Sequence, residues 1–352
     1  MSKKIMLVLS IIMIIMMACL GVLSGCKEGA EISDLEEVQE ESQGAAEEDS
    51  ASDEAEEVEE EAEDFVEEEA IEVIDGEGNL ITLDAAAENV IVMAPSVLEI
   101  IDGLGAMDKV AEIDGFTVMM QEPLAEGFEG VGDYQSLNVE RIAELVPDLV
   151  VAITGGPEDD YNKVGELGIP IYRVVDVKGM DGIYEEIQNI SELIGLPGEG
   201  TAMVAELKGQ VDKIAGKVEG LSDDEIPKVF YEVWNEPLMS AGTDTFISAL
   251  IETAGGINIL SADELTGWPE YSVETLIERN PDIIIAPVSL AADPTVITGD
   301  ERFASIDAVI NGRVYVVPDN QVSRPSQNIF KGLQMLAKAF HPEIFGEFEI
   351  IE

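Results

Sequence analysis

Two glutamates, Glu140 and Glu274, hold the same place in two copies of one pattern, Asn138–Ala152 (NVERIAELVPDLVVA) and Ser272–Ala286 (SVETLIERNPDIIIA), offset by 134 positions. Each falls just inside a helix signal, where a carboxylate offsets the partial positive charge of the helix N-terminus by about 0.3–1 kcal/mol. That role accounts for either glutamate alone, but it does not require the same residue in both copies. Other reactive groups are scarce. The chain has one histidine, His341, and two cysteines, Cys19 and Cys26, both within the first 26 residues. Thiolate chemistry and disulfides are therefore excluded from the body, and a Ser-His-Asp relay would need His341 as its base. A multi-histidine zinc or manganese cage is excluded by the same count. The expectation is a protein that is not an enzyme and carries no cofactor of its own.

The repeats state how the glutamates are positioned. Each copy has a capping residue (Asn138, Ser272), a short helix with one apolar face, a Pro-Asp break (Pro147-Asp148, Pro281-Asp282) and an apolar run suited to a buried parallel strand. Six of the fifteen positions are identical. Around them strands alternate with helices. Val90–Ala94 and Val110–Asp114 read as strands and Val97–Leu104 as a helix, with Gly115–Met120 as a loop. In the second half a strand covers Lys228–Trp234, followed by helices at Thr245–Ala254 and near Phe303–Ile310, a strand at Arg313–Val317 and a closing helix from Gln327 to Phe340. The alternation predicts mostly parallel sheets covered on both faces. Between the halves, Met203, Val204, Leu207, Val211, Ile214, Ala215 and Val218 recur at helical spacing, so one long helix over Glu199–Glu219 separates two α/β lobes.

The remainder of the chain is of a different kind. Met1–Cys26 has a basic start at Lys3 and Lys4 and an apolar run from Ile5 to Leu20, the pattern of an export signal. It ends in Leu23-Ser24-Gly25-Cys26, which resembles the lipobox at which bacterial lipoproteins are acylated on cysteine. Residues 27–70 carry 22 acids against Lys27 alone and read as an extended acidic tether. The formal net charge of the chain is -56, which makes nucleic acid a poor partner. The organisation is therefore a signal peptide (1–26), a tether (27–70), an N-terminal lobe (71–198), an interlobe helix (199–220) and a C-terminal lobe (221–346).

Five ordered blocks carry a resemblance: MAPSVLEIIDGLG (93–105), GDYQSLNVERIAELVPDLVVA (132–152), FYEVWNEPLMSAGTDTFISALIETAGGIN (230–258), GWPEYSVETLIERNPDIIIAP (267–287) and RPSQNIFKGLQMLAKAFHPE (324–343). Together they resemble the substrate-binding proteins of bacterial iron-chelate and vitamin B12 ABC importers. The resemblance implies two Rossmann-like lobes joined by one long α-helix, with the ligand in the cleft between them and only a small opening and closing motion. It implies a monomer held by lipid on Cys26 at the outer face of the cytoplasmic membrane, which delivers a small metal chelate to an ABC permease driven by a cytoplasmic ATPase. Glu140 and Glu274 match the glutamates that pair with permease arginines in that family. Tyr134 and Trp268-Pro269 match positions that face the corrinoid in its B12-binding members, and Phe116 and Trp234 are further loop aromatics placed to line the cleft.

Arg324, and with it Arg173, are the candidates for meeting an anionic chelate, and His341 is expected to cap structure. The ligand expectation leans to a corrinoid such as cobalamin, with a ferric siderophore or haem as the alternative. A chelatase-like enzyme on a related fold would need Cys or His at the cleft. An adhesive surface lipoprotein would need neither the paired glutamates nor the rigid helix.

Overall fold

The computed structural model describes residues 70–120, 124–133 and 135–351. The expectations placed on the signal peptide, Cys26, the acidic tether and Tyr134 lie outside the described residues. The described chain starts with an antiparallel hairpin, β1 (Ile71–Ile74) and β2 (Leu80–Leu83). The N-terminal lobe then runs β3 (Val90–Met93), α1 (Pro95–Gly103), β4 (Val110–Ile113) and α2 (Gly115–Met120), and a small ribbon of β5 (Gly132–Asp133) and β6 (Ser136–Leu137) follows. It continues through α3 (Val139–Leu145), β7 (Leu149–Ile153), α4 (Glu158–Glu166), β8 (Ile171–Val174) and α5 (Gly179–Leu193). The long helix α6 spans Pro197–Val218. The C-terminal lobe comprises β9 (Lys228–Asn235), β10 (Leu238–Ser240), α7 (Phe246–Thr253), β11 (Ile257–Asn258), α8 (Val273–Arg279), β12 (Ile283–Pro287), α9 (Thr295–Thr298), α10 (Asp307–Ile310), β13 (Val314–Val317), α11 (Asp319–Val322), α12 (Ile329–Phe340) and α13 (Pro342–Phe345).

The two sheets share one topology. The first is parallel in the order β4-β3-β7-β8. In the second, β9 has β12 and then β13 on one side, and on the other it pairs β11 in parallel and β10 antiparallel. Thus β3, β4, β7 and β8 correspond to β9, β11, β12 and β13. Even the register repeats: Val90 lies opposite Leu149 as Val229 lies opposite Ile283, and Val150 lies opposite Ile171 as Ile284 lies opposite Val314.

Alternation along these strands decides what each lobe shares and what it keeps. Val90, Val92, Leu149 and Val151 join Val229, Tyr231, Ile283 and Ile285 in one buried cluster that runs through both lobes and takes in Leu207 and Ile214 of α6. The opposite faces stay private. Ile91, Met93, Val150 and Ala152 pack in an N-terminal core, and Phe230, Ile284 and Ala286 in a C-terminal one. Pulling the lobes apart would expose the shared cluster at about 25 cal/mol per Å² of apolar surface, so large hinge motion is opposed. Helix α6 starts on Pro197, which tolerates a first helical position. A Cβ on its Gly200 would sit 1.9 Å from Ser191 Oγ, so glycine is what lets α6 lie close on α5.

Three local expectations need correction. Gly115–Met120 is a helix and not a loop, because the Asp114 carboxylate accepts the amides of Phe116 and Thr117 at 3.2 and 3.0 Å and caps it. Trp234, expected at the end of the Lys228–Trp234 strand but also as a loop aromatic, is a strand residue, since the β9–β10 hairpin carries the pairing one residue further, to Asn235. The helix expected near Phe303–Ile310 is instead a 3-10 turn, Glu301–Phe303, and the separate α10. Among the described residues no helix is long and apolar enough to cross a membrane.

Candidate functional site between the lobes

The repeated unit is built alike in both lobes. Asn138 Oδ1 accepts the Arg141 amide at 3.0 Å, and Ser272 Oγ accepts the Thr275 amide at 3.0 Å. Each helix ends on a residue with positive φ, Val146 at 48° and Asn280 at 45°. The aspartate after each break is a tertiary clamp. Asp148 accepts the amides of Glu88 and Asn89, both at 2.9 Å, and Asp282 accepts that of Lys228 at 2.8 Å, so each holds the residue that leads into the first core strand of its lobe. Glu140 and Glu274 both lie in the first helical turn with exposed side chains, and neither forms an ion pair among the described residues.

Besides the shared apolar cluster, two polar contacts join the lobes, both beyond the carboxyl ends of the parallel strands. In the first, Asp176 and Lys178, just after β8, reach the C-terminal lobe: Trp268 Nε1 donates to Asp176 at 2.7 Å, and Lys178 Nζ to Asp244 at 2.7 Å. The other Asp244 oxygen accepts the Gly267 amide at 2.6 Å. In the second, Glu99 of α1 accepts from Arg324 at 2.9 Å, from Asn328 at 3.1 Å and from the Ser326 hydroxyl. Arg324 also donates to the Met120 carbonyl at 3.0 Å. The β8 edge of one sheet therefore opposes the β10 edge of the other, while the β4 side opposes the β13 side. Between the contacts open the loops that follow β3, β7, β9 and β12, the place where open α/β sheets bind ligands.

Trp268 stands at the first contact, half-buried, with its ring edge-on to Phe246 at 6.4 Å and 68°. Pro269 follows it, and its carbonyl accepts the Ser240 amide at 3.1 Å. Trp234 is half-buried in the hairpin and donates Nε1–H to the Glu236 carbonyl at 2.7 Å. Phe116 is half-buried in the first turn of α2.

The arginines are otherwise engaged than the ligand expectation requires. Arg324 has a side chain only 13% exposed and is committed to Glu99 across the lobes. Arg173 is buried under carboxylates, paired with Glu158 and with Glu77 at 3.7 Å, and its guanidinium stacks 4.1 Å above the Tyr161 ring. Arg302, close to the end of β9, is held by Asp300 and lies 3.9 Å from Glu236. His341 is buried, with Nε2 2.9 Å from the Gly255 carbonyl oxygen, a structural contact. Glu232 on β9 is pushed up to about 7, chiefly by burial, against the opposing effects of Asn235 and Arg302.

Sequence reasoning missed Glu99, Asp176, Lys178 and Asp244. Their partners lie in the other lobe, and no local pattern marks them. Among the described residues no group of three or more His, Cys, Asp or Glu could hold a metal ion.

Comparisons with known proteins agree with this architecture. Residues 90–321 match the family described as Periplasmic binding protein. The chain is 27% identical over 281 residues to "Uncharacterized ABC transporter substrate-binding lipoprotein YvrC" of Bacillus subtilis, covering 79% of this chain and 87% of that protein. It is 28% identical over 272 residues to "Cobalamin-binding protein" of Halobacterium salinarum, covering 76% and 73%. Among solved structures it is similar to a possible iron-binding (periplasmic solute-binding) protein from Staphylococcus epidermidis, at TM-score 0.63 and 27% identity, covering 73% of this chain and 100% of that one.

Proposed function

The chain belongs to the periplasmic binding protein family, and on that premise we propose that it captures a corrinoid outside the cytoplasmic membrane and hands it to an ABC import permease. It binds and releases its ligand without making or breaking a bond. One observation carries the choice of ligand: the bases near the cleft are already neutralised, Lys178 by Asp244, Arg302 by Asp300 and Arg324 by Glu99. An anionic chelate, including haem with its propionates, would have to break one of these pairs. A corrinoid offers a broad macrocycle with amide arms and no cluster of carboxylates. It needs aromatic and apolar walls with a few polar groups, the role proposed for Trp268, Pro269, Trp234 and Phe116, with Tyr134 proposed from the sequence alone. The relative named as cobalamin-binding supports the same choice. A second reading, a ferric siderophore or haem, is supported by the similarity to a possible iron-binding protein.

Glu140 and Glu274 are the proposed handles for the permease, exposed and alike on the two lobes. Cys26 is the proposed site of lipid attachment, and the protein acts as a monomer. The test is tryptophan fluorescence of the purified protein against cyanocobalamin, haemin and ferric siderophores. Saturable quenching by cyanocobalamin alone is expected, and saturation by a ferric siderophore alone would move the assignment to the second reading. Converting Glu140 and Glu274 together to alanine is expected to abolish uptake while ligand affinity stays the same.

A further inference from the structure

The two cross-lobe contacts differ in every respect that governs how easily they break. Glu99 is 3% exposed and Arg324 13%, and the Glu99 carboxylate also holds Ser326 and Asn328. Gln327 adds a bond to the Glu99 carbonyl, and it packs so closely on α1 that a Cβ at Gly103 would lie 2.6 Å from its Nε2. Breaking this contact strands a buried charge among several unpaired donors. At the other contact Lys178 is 72% exposed and Asp244 29%, and Asp176 is exposed at the surface although desolvation, partly offset by the Trp268 hydrogen bond, raises its carboxyl above the usual carboxylate range. An exposed pair of this kind is weak and screened by salt, so it opens and closes readily.

We propose that the Glu99–Arg324 contact is the fixed pivot of the clamp, and that Asp176, Lys178 and Asp244 form a latch that closes the cleft mouth and positions Trp268. The geometry is a closed ring. Asp176 and Lys178 flank the buried anchor Val177 on one strap of the N-terminal lobe. Asp176 takes the indole N–H of Trp268, while Lys178 takes Asp244, which in turn holds the amide of Gly267, the residue before Trp268. The strap thus fixes the side chain of Trp268 directly and steadies Asp244, which holds the backbone just before it. The backbone itself stays anchored within the C-terminal lobe, where the Gly267 and Pro269 carbonyls accept the Gly242 and Ser240 amides at 2.7 and 3.1 Å, so releasing the strap frees the indole to turn against the edge of Phe246. Because the strap and Trp268 belong to different lobes, orientation of the aromatic wall is coupled to closure. None of the three residues needs to touch the ligand; they act through Trp268.

This inference rests on the reading that ligand binds between the lobes, but its first test does not. Trp234 and Trp268 are the only tryptophans, so in a Trp234→Phe background the emission of the full-length protein reports Trp268 alone. In ligand-free protein, Lys178→Ala and Asp176→Ala are expected to shift that emission toward the red without lowering the melting temperature. Lys178→Arg should keep the parent spectrum. Raising salt should reproduce the Lys178→Ala shift in the parent and add nothing to that variant. Stopped-flow exchange of cyanocobalamin, measured on the same latch variants with Trp234 intact, should then accelerate in both directions, by about two- to fivefold for one exposed pair, with little change in Kd. Glu99→Gln should instead lower stability and leave the emission of the remaining folded protein as in the parent.

If the latch variants leave the Trp268 emission unchanged, or if Glu99→Gln shifts it as much as they do, the assignment of latch and pivot is wrong. If the emission responds as expected but cyanocobalamin does not bind, the ligand reading fails and the latch stands.

Discussion

The helix-strand unit at Asn138–Ala152 and its copy at Ser272–Ala286 reach the same shape by different bonds. Both helices stop at a left-handed residue, but in the N-terminal lobe this is Val146, 74% exposed at φ 48°, and in the C-terminal lobe it is Asn280 at φ 45°. A β-branched side chain is strained there, whereas asparagine tolerates it. Asn280 is also bonded forward to α10, donating to Asp307 at 2.8 Å and accepting its amide at 2.9 Å. The N-terminal copy takes its support from behind, where the Asn89 side chain donates to the Leu145 and Val146 carbonyls at 2.7 and 2.9 Å. The lesson is that a duplicated fold preserves the places where the chain must be held, while the residues that hold it diverge.

The largest expected contrast between the lobes is in pH dependence. Each buries one glutamate that desolvation pushes up to about 7, Glu186 on α5 and Glu232 on β9. Below about pH 4.5 both are protonated whether folded or unfolded. As pH rises from about 4.5 to about 7 the unfolded state ionises while the buried acid stays protonated, so stability present at low pH is lost over that window, by about 3 kcal/mol for each group. Glu186→Gln should flatten the profile and stabilise the protein at pH 8. Glu232→Gln should gain less, because it also deprives Arg302 of a neighbouring charge. Denaturant melts between pH 5 and 8 check this, and equal gains would remove the contrast.

Next in size, Asn280→Val should destabilise by about 2–3 kcal/mol, combining left-handed strain with the loss of both Asp307 bonds. Asp148→Ala should cost about 1–2 kcal/mol and Asp282→Ala about half that, since one clamp holds two amides and the other holds one. Equal costs in urea unfolding would show that the second amide adds nothing. The smallest effect is a gain: Val146→Asn should raise stability by about 1 kcal/mol by relieving the strain that Asn280 avoids.

Much of the fold was legible because its signals are local. The apolar runs at Val90–Met93 and Ile283–Pro287, the Pro-Asp breaks and the seven-residue spacing of Leu207 and Ile214 all lie within a few turns of chain. Helix α2 was not, since Asp114-Gly115 reads equally well as a turn until the Asp114 carboxylate is seen to cap it. The site was legible only in part. Trp268 stands out in the sequence by its match to a corrinoid-facing position of the family resembled, but its hydrogen bond to Asp176 spans 92 positions and the Glu99–Arg324 pair spans 225. Such pairs follow from how two lobes meet, which hydropathy patterns do not encode. Arg324, read from its loop as a cation for the ligand, is for the same reason a bond between lobes.

The most direct test of the account is calorimetric titration of the purified protein with cyanocobalamin, with haemin and a ferric siderophore titrated in parallel. Saturable binding of one cyanocobalamin per chain and no saturable binding of the two iron chelates are expected. Saturation by haemin or the ferric siderophore, with no heat from cyanocobalamin, would contradict the corrinoid assignment.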